Sequence, residues 1–379
     1  MTTLNPLSVA VGRGDRTWHP WSAIRQEPRL TLVSGHGCHV RDDLGRRYLD
    51  LRSGTLNATI GYGRQAVVEA IREQASRLMT WDLAEVSTLP ARALADRIAS
   101  MLPAPLEYTL FCNSGSEATE AAVKIARMWH RIEGSPERTL VLSFADGYHG
   151  TTTATIAATA SAFRREGVGP LSGGYAHLAT PRCTKCADED DHTRHVPGVQ
   201  EWEAQILSVG PKSVAAILVE PVLSVGGVIV PPPGHLAELR ALCDRYGILL
   251  ITDEVATGFG RTGKVFGFEH DLNAPGQAPD IVTTAKGLTG GYAPLAAVTV
   301  PADIYAAFAR DPLLGGLRHG HTTGGHATAC AATLAVLDIV ENDELVAAAA
   351  DRGTQLLDAL APLKQRPTVC DVRGGGGAC

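Results

Sequence analysis

The chain has 379 residues, 45% of them hydrophobic and 20% charged, with a formal net charge of −6. That composition is ordinary for a globular protein of roughly two domains, and it gives a nucleic-acid partner no electrostatic support. The best membrane candidate, SVAAILVEPVLSVGGVIVPPP, is broken by Glu220 and several prolines, which excludes a spanning segment.

The start, MTTLNPLSVAVGRGDR, lacks a basic region followed by an apolar one, so secretion is not expected. Eight scattered cysteines in a long chain point to reduced thiols and a cytoplasmic protein. LTLVSGHGCHVRDDLGRRYLDLRSG then reads as short antiparallel strands with a turn at Asp43-Leu44-Gly45. From there β-rich runs alternate with helical patterns. YTLFC (Tyr108–Cys112) precedes the helical EATEAAVKIARMW, and TLVLSF follows at Thr139–Phe144. VAAILVE (Val214–Glu220) precedes HLAELRALCDRY, and GILLITDE spans Gly247–Glu254. This alternation predicts an α/β fold with a mostly parallel sheet covered on both faces, and ligands beyond the carboxyl ends of its strands. Gly325–Leu363 reads as one long helical stretch rich in Ala and Leu. The glycine run in DVRGGGGAC reads as an end cut short or a tail without fixed structure.

Chemistry is expected just after the strands. Ser114 and Glu117 have capping-box spacing, and the Gly115-Ser116 pair at a helix start offers free N–H groups suited to a phosphate; an ordinary capped helix is the plain alternative. GYHG (Gly147–Gly150) sets Tyr148 and His149 on a loop. Asp253 ends an apolar strand. Lys286 follows the apolar Ile281 and Val282 and precedes Gly287, Gly290 and Gly291. A lysine so placed is either an accident of a loop or a nucleophile with a lowered pKa.

Two motifs do not hold up. GFGRTG (Gly258–Gly263) matches a dinucleotide fingerprint, but DEVAT separates it from the strand and KVFGFEH is not helical. Cys183, Cys186, His192 and His195 are zinc-type ligands with too short a central spacer, and no metal is expected. Taken together, the phosphate turn, aromatic, strand-end aspartate and secluded lysine form the set that pyridoxal 5'-phosphate requires.

At these residues the sequence resembles the class III pyridoxal-phosphate aminotransferases, the ω-amino-acid and ornithine group of fold type I. NSGSEATEAAVKIAR, DGYHGTT, VEPVLSVGGVIVPPPGHL, LLITDEVATGFGRTGK, PDIVTTAKGLTGGYAPLAAV and GHTTGGHATACAATLAVL carry the likeness. The resemblance implies that Lys286 forms a Schiff base with the cofactor and that Asp253 pairs with its pyridine nitrogen. Gly115 and Ser116 would contact the phosphate, Tyr148 one ring face and Val255 the other. Thr322 would reach the phosphate of a neighbouring subunit, which implies a homodimer with shared active sites. Glu220 would lie near the substrate, and Trp21, Arg52 and Arg164 are further candidates for touching it. The implied reaction is ping-pong transfer from an amino acid, ω-amino acid or amine to a 2-keto acid such as pyruvate or 2-oxoglutarate. An aminomutase of the same fold, or a truncated relative that binds the cofactor without turnover, are the alternatives.

Ala256 stands where many relatives have glutamine, and IGYGR (Ile60–Arg64) looks more like the ω-amino-acid:pyruvate members. The expected layout is residues 1–55 as the start of a small domain, 56–315 as the cofactor-binding large domain, and 316–379 as a linking helix and a truncated small domain.

Overall fold

The structure is a computed structural model that describes residues 16–24, 29–183, 196–274, 276–369 and 371–377. Near the start, β1 (Leu32–His36), β2 (His39–Asp42) and β3 (Arg47–Leu49) form a three-stranded antiparallel sheet. The expected turn is tied by Asp42, 1% exposed, whose carboxylate accepts the Leu44 and Arg46 amides, the Arg46 guanidinium and the Tyr48 hydroxyl.

The main sheet has seven strands. They are β4 (Leu106–Cys112), β5 (Leu140–Phe144), β6 (Tyr175–Leu178), β7 (Val214–Val219), β8 (Leu249–Asp253), β9 (Ile281–Thr284) and β10 (Ala296–Pro301). Their order is β4-β10-β9-β8-β7-β5-β6, and β6, β5, β7, β8 and β9 pair in parallel. Only β10 runs against both its neighbours. The mixed α/β expectation with a mainly parallel sheet therefore holds.

Successive residues of each central strand enter opposite cores, as a pleat buried on both faces requires. Ile217, Val219, Leu250 and Val282 face a cluster with Leu94, Ile98, Trp202 and Leu239. Ala216, Leu218, Ile251 and Ile281 face Ala118, Ala122 and Ile125 of the helix Gly115–Ile132. The alanines let that helix lie close against β9 and β10. Each fully buried Leu or Ile contributes about 1.5–3 kcal/mol. The helix start, and with it Gly115 and Ser116, is thereby fixed relative to the strand ends.

Two sequence expectations are corrected. The stretch Gly325–Leu363 is two helices, Ala327–Asn342 and Leu345–Leu360, because the chain breaks at Glu344, which has φ +51°. The glycine run is not without structure. Gly377 N–H donates to the Arg261 carbonyl at 2.9 Å, and Arg373 Nε–H donates to the Gly227 carbonyl at 2.9 Å. A Cβ at Gly376 would overlap the Thr262 backbone, and one at Gly353 would overlap the Gly376 carbonyl. Glycine is needed there for contact between backbones.

Among the described residues no helix is long and apolar enough to cross a membrane, and no cluster of three or more metal-ligating side chains occurs. Cys186, His192 and His195 lie outside the described residues.

Candidate active site

The carboxyl ends of β5, β7, β8 and β9 open into a cavity of about 900 Å³, where ligands of parallel α/β sheets bind. Its lining brings together Gly115, Ser116, Tyr148, Glu220, Asp253, Val255 and Lys286, along with Trp21, Arg52 and Arg164. These come from segments far apart in sequence. Thr322 is not among the lining residues; it is exposed on a turn.

Asp253 ends β8 and is 3% exposed. Its Oδ2 lies 2.8 Å from His149 Nδ1. A carboxylate only accepts, so the imidazole donates from Nδ1. Oδ1 accepts the Val255 amide at 3.1 Å and the Thr283 hydroxyl at 3.4 Å. The carboxylate is thus oriented from three directions. His149 Nε2 is buried without a partner.

Lys286 opens a 3₁₀ turn, Lys286–Thr289, directly after β9. Its φ of +37° is unfavourable for a residue with a Cβ, at about 1–3 kcal/mol, and such strain clusters at functional sites. No described residue forms a hydrogen bond or ion pair with its amine. Burial lowers its pKa; the charges of Asp253 and Glu220 oppose that, and Arg261 adds to it.

The phosphate-type turn has the expected cap, with Ser114 Oγ accepting the Glu117 amide at 3.3 Å. The first-turn amides that follow have no acceptor in the helix's own ladder. A Cβ at Gly115 would stand 2.7 Å from Val255 Cγ1, so this wall of the cavity admits only glycine. Ser116 Oγ accepts the Thr151 amide at 3.2 Å and joins the helix start to the Tyr148 loop.

Glu220 is 3% exposed and holds that loop through the Tyr148 amide (2.9 Å) and Ser224 (3.0 and 3.1 Å). Burial pushes its pKa up, His149 opposes this, and Asp253 adds to it. Arg164 lies between two rings, its guanidinium carbon 5.2 Å from the Tyr148 centroid and 5.3 Å from that of Trp21. Its Nε is buried without a partner.

Two polar residues that the sequence placed beside stronger candidates, without giving them a role, find definite partners here. His149 had no signal beyond its place beside Tyr148. Glu254, 0% exposed, points away from the cavity and accepts Thr257 Oγ at 2.5 Å, the Gly267 amide at 2.9 Å and the Phe268 amide at 2.8 Å.

A cradle of helix-start amides, a buried and oriented carboxylate and a secluded amine on one cavity wall fit pyridoxal phosphate, and they define a cofactor-dependent transferase site on a fold-type-I scaffold. The family model for class III aminotransferases matches residues 22–379, and the chain belongs to that family. It is 38% identical over 363 residues to the aminotransferase YhxA of Bacillus subtilis strain 168, covering 95% of this chain and 78% of that protein. An (S)-enantioselective ω-transaminase from Thermomicrobium roseum superposes with a TM-score of 0.87 at 40% identity, over 94% of this chain and 79% of that one. An amine transaminase from an uncultivated Pseudomonas species, solved in its PLP-bound form, gives 0.89 at 37%, over 96% and 83%. The protein is an aminotransferase, and pyridoxal 5'-phosphate is its cofactor.

Proposed function

We propose that this protein moves an amino group from an amine, ω-amino acid or amino acid to a 2-keto acid such as pyruvate or 2-oxoglutarate by a ping-pong reaction, with Lys286 and Asp253 as catalytic residues. The observation that carries the reading is the Lys286 amine, strained at its backbone, unpaired, and disfavoured as an ammonium by burial.

When bound, pyridoxal phosphate supplies an aldehyde that takes amines covalently and a ring that accepts the electrons left on a carbon when its proton departs. Gly115 and Ser116 would hold the phosphate through first-turn amides. Tyr148 and Val255 would flank the ring, Asp253 would hold its protonated nitrogen, and Lys286 would join the aldehyde. Once released by the donor, Lys286 Nζ would act as the base that takes the proton from the donor carbon and delivers it two atoms along, on the far side of the transferred nitrogen. A lowered pKa keeps that nitrogen free to do so. His149, Val255 and Thr283 donate to the Asp253 carboxylate and hold it in place.

Arg164 supports a substrate with an acidic group. Among the described residues no carboxylate pairs with it; the Trp21 and Tyr148 rings lie against its guanidinium and, with a 3.4 Å bond from Nη1 to Ser161 Oγ, hold it at the cavity wall. Glu220 and Arg52 complete the substrate side. Thr322, exposed and outside its own cavity, supports a homodimer in which it serves the partner's phosphate site. The free Cys38, Cys112, Cys243 and Cys330 agree with a reducing compartment.

A donor panel with and without acidic groups, run against pyruvate and 2-oxoglutarate, tests this. One equivalent of keto product should form from donor alone, without acceptor. Arg164→Ala should raise KM roughly 10–100-fold for acidic substrates and leave neutral amines nearly unchanged. Equal loss for both classes contradicts the Arg164 assignment; no keto product from any donor contradicts the reaction.

A further inference from the structure

The segment Arg52–Asn57 lines the cavity with Arg52, Thr55, Leu56 and Asn57. Its backbone is strained. Ser53 (φ +53°), Gly54 (φ +64°) and Leu56 (φ +61°) all lie in the left-handed region, although Ser53 and Leu56 carry a Cβ. A chain so wound keeps its shape only when its surroundings over-determine it. One hold is local. Asp50 Oδ1 accepts the Arg52 amide at 3.0 Å, its Oδ2 accepts the Gly54 amide and the Tyr62 hydroxyl at 2.7 Å each, and Asn57 Oδ1 accepts the Thr55 amide at 2.8 Å. The other hold comes from the GFGRTG run, far along the chain. Arg261 Nη2 donates to Ser53 Oγ at 3.2 Å and to the Leu56 carbonyl at 3.4 Å, and Nη1 donates to the Gly377 carbonyl at 3.3 Å.

Arg261 Nε is buried without a partner, and among the described residues no carboxylate pairs with this side chain. A guanidinium does not shed its proton in a protein, so the fold carries a buried charge whose fork reaches neutral oxygens. What the fork supplies is a planar set of donors in fixed geometry, able to grip two points of the loop at once. The base of the clamp is itself rigid. The turn that bears Arg261 is closed by the Phe259 amide to the Val265 carbonyl at 2.6 Å and the Gly263 amide to the Gly260 carbonyl at 3.1 Å. This turn and the chain that follows the loop are both seated on the glycines after β9. A Cβ at Gly287 would meet the Gly258 carbonyl at 3.1 Å and Thr59 Cγ2 at 3.4 Å, one at Gly290 would meet Ile60 Cγ1 at 2.9 Å, and one at Gly291 would meet Asn57 Nδ2 at 3.0 Å.

We propose that Arg261 is a positioning residue for substrate selection: its fork clamps the strained Arg52–Asn57 loop to the Gly258–Gly263 turn, so that the cavity wall meeting the amino donor keeps one shape. This rests on the reading above that the cavity takes an amino donor. Arg261 is not among the residues that line the cavity; it acts through Thr55 and Leu56, which are. Its loss therefore falls on donor binding, while the proton transfer at Lys286 and the cofactor contacts are kept.

The test uses the full cofactor-loaded chain as wild type, Arg261→Gln, Arg261→Lys and Ser53→Ala. Gln removes the fork, Lys keeps a single donor head, and Ser53→Ala removes one acceptor. Hydrogen exchange over residues 51–58, read by peptide mass spectrometry, should speed up roughly 10-fold in Arg261→Gln and less in the other two. Exchange over residues 281–292 and the cofactor affinity should stay at wild-type values. With the best donor from the panel above and pyruvate, Arg261→Gln should raise KM roughly 10-fold and leave kcat within about twofold, with Arg261→Lys and Ser53→Ala in between. Unchanged exchange over residues 51–58 in Arg261→Gln, or a loss shared equally by cofactor affinity, kcat and KM, overturns the proposal. If Arg261→Gln does not fold, Arg261→Lys and Ser53→Ala decide by the same comparison. If no donor is turned over, the reaction assigned above fails, yet the exchange of the loop still decides whether Arg261 clamps it.

Discussion

Gly115→Ala places one methyl group where the wall of the cavity has no room for it. The new Cβ would lie 2.7 Å from Val255 Cγ1 and 3.0 Å from Cγ2. Carbon atoms settle at about 3.5–4.0 Å, so one side has to move by most of an ångström. Val255 cannot simply recede, because its amide donates to Asp253 Oδ1 at 3.1 Å. Gly115 cannot recede either, since the helix behind it is packed through Ala118, Ala121 and Ala122, each 0% exposed. Overpacking of this kind costs about 1–3 kcal/mol. If the cost falls on the cofactor-bound state, affinity drops roughly 5–150-fold. A cofactor titration followed by absorbance measures it. The double variant Gly115→Ala/Val255→Ala removes the clashing methyls and should recover much of the loss, giving a coupling energy of about 1 kcal/mol or more in the cycle. Unchanged cofactor affinity in Gly115→Ala, or a loss that the second substitution leaves untouched, refutes the steric reasoning.

Glu254 should make stability fall with rising pH. Burial pushes its carboxyl up to about 7 from 4.5, so between those values the folded chain holds more protons than the unfolded one. Its contribution is complete below the unfolded pKa and is lost as pH rises through 7, about 3 kcal/mol in all. Glu254→Gln has no such titration, but its NH₂ opposes a backbone amide. In urea denaturation the variant should be the weaker protein at pH 5, and the gap should narrow by about 3 kcal/mol by pH 8; a constant gap counts against the assignment. His149→Ala strips Asp253 Oδ2 of its donor in a site where both side chains are almost fully buried. It should cost about 1–3 kcal/mol and weaken cofactor binding, read from the denaturant midpoint and the same absorbance titration.

The sequence was most informative where chemistry and local pattern coincide. An apolar run stopping at Lys286 and another stopping at Asp253 can be read from hydropathy alone, because buried strands exclude charge until they end. Ser114 and Glu117 announce a helix start through a local bond. What the sequence hid is nonlocal. Glu344 breaks a helical pattern whose apolar spacing continues across it, so periodicity alone runs the two helices together. The glycine run looked idle because its reason is the backbone of Thr262 and the carbonyl reached from Gly353, far away in the chain. Arg261 sat in a motif dismissed for lacking a nucleotide site, and only the folded chain shows it reaching Ser53, Leu56 and Gly377. Arg164 and Trp21 meet across more than a hundred residues, so their stacking left no trace in spacing.

The most direct test is hydride reduction of the cofactor-loaded protein, followed by proteolysis and mass spectrometry of the peptides. The account predicts one modified lysine, Lys286, carrying the reduced cofactor, and complete loss of that adduct after treatment with an amino donor. A loaded protein whose Lys286 peptide is unmodified, or whose adduct sits on Lys124, Lys185, Lys212, Lys264 or Lys364, would contradict it.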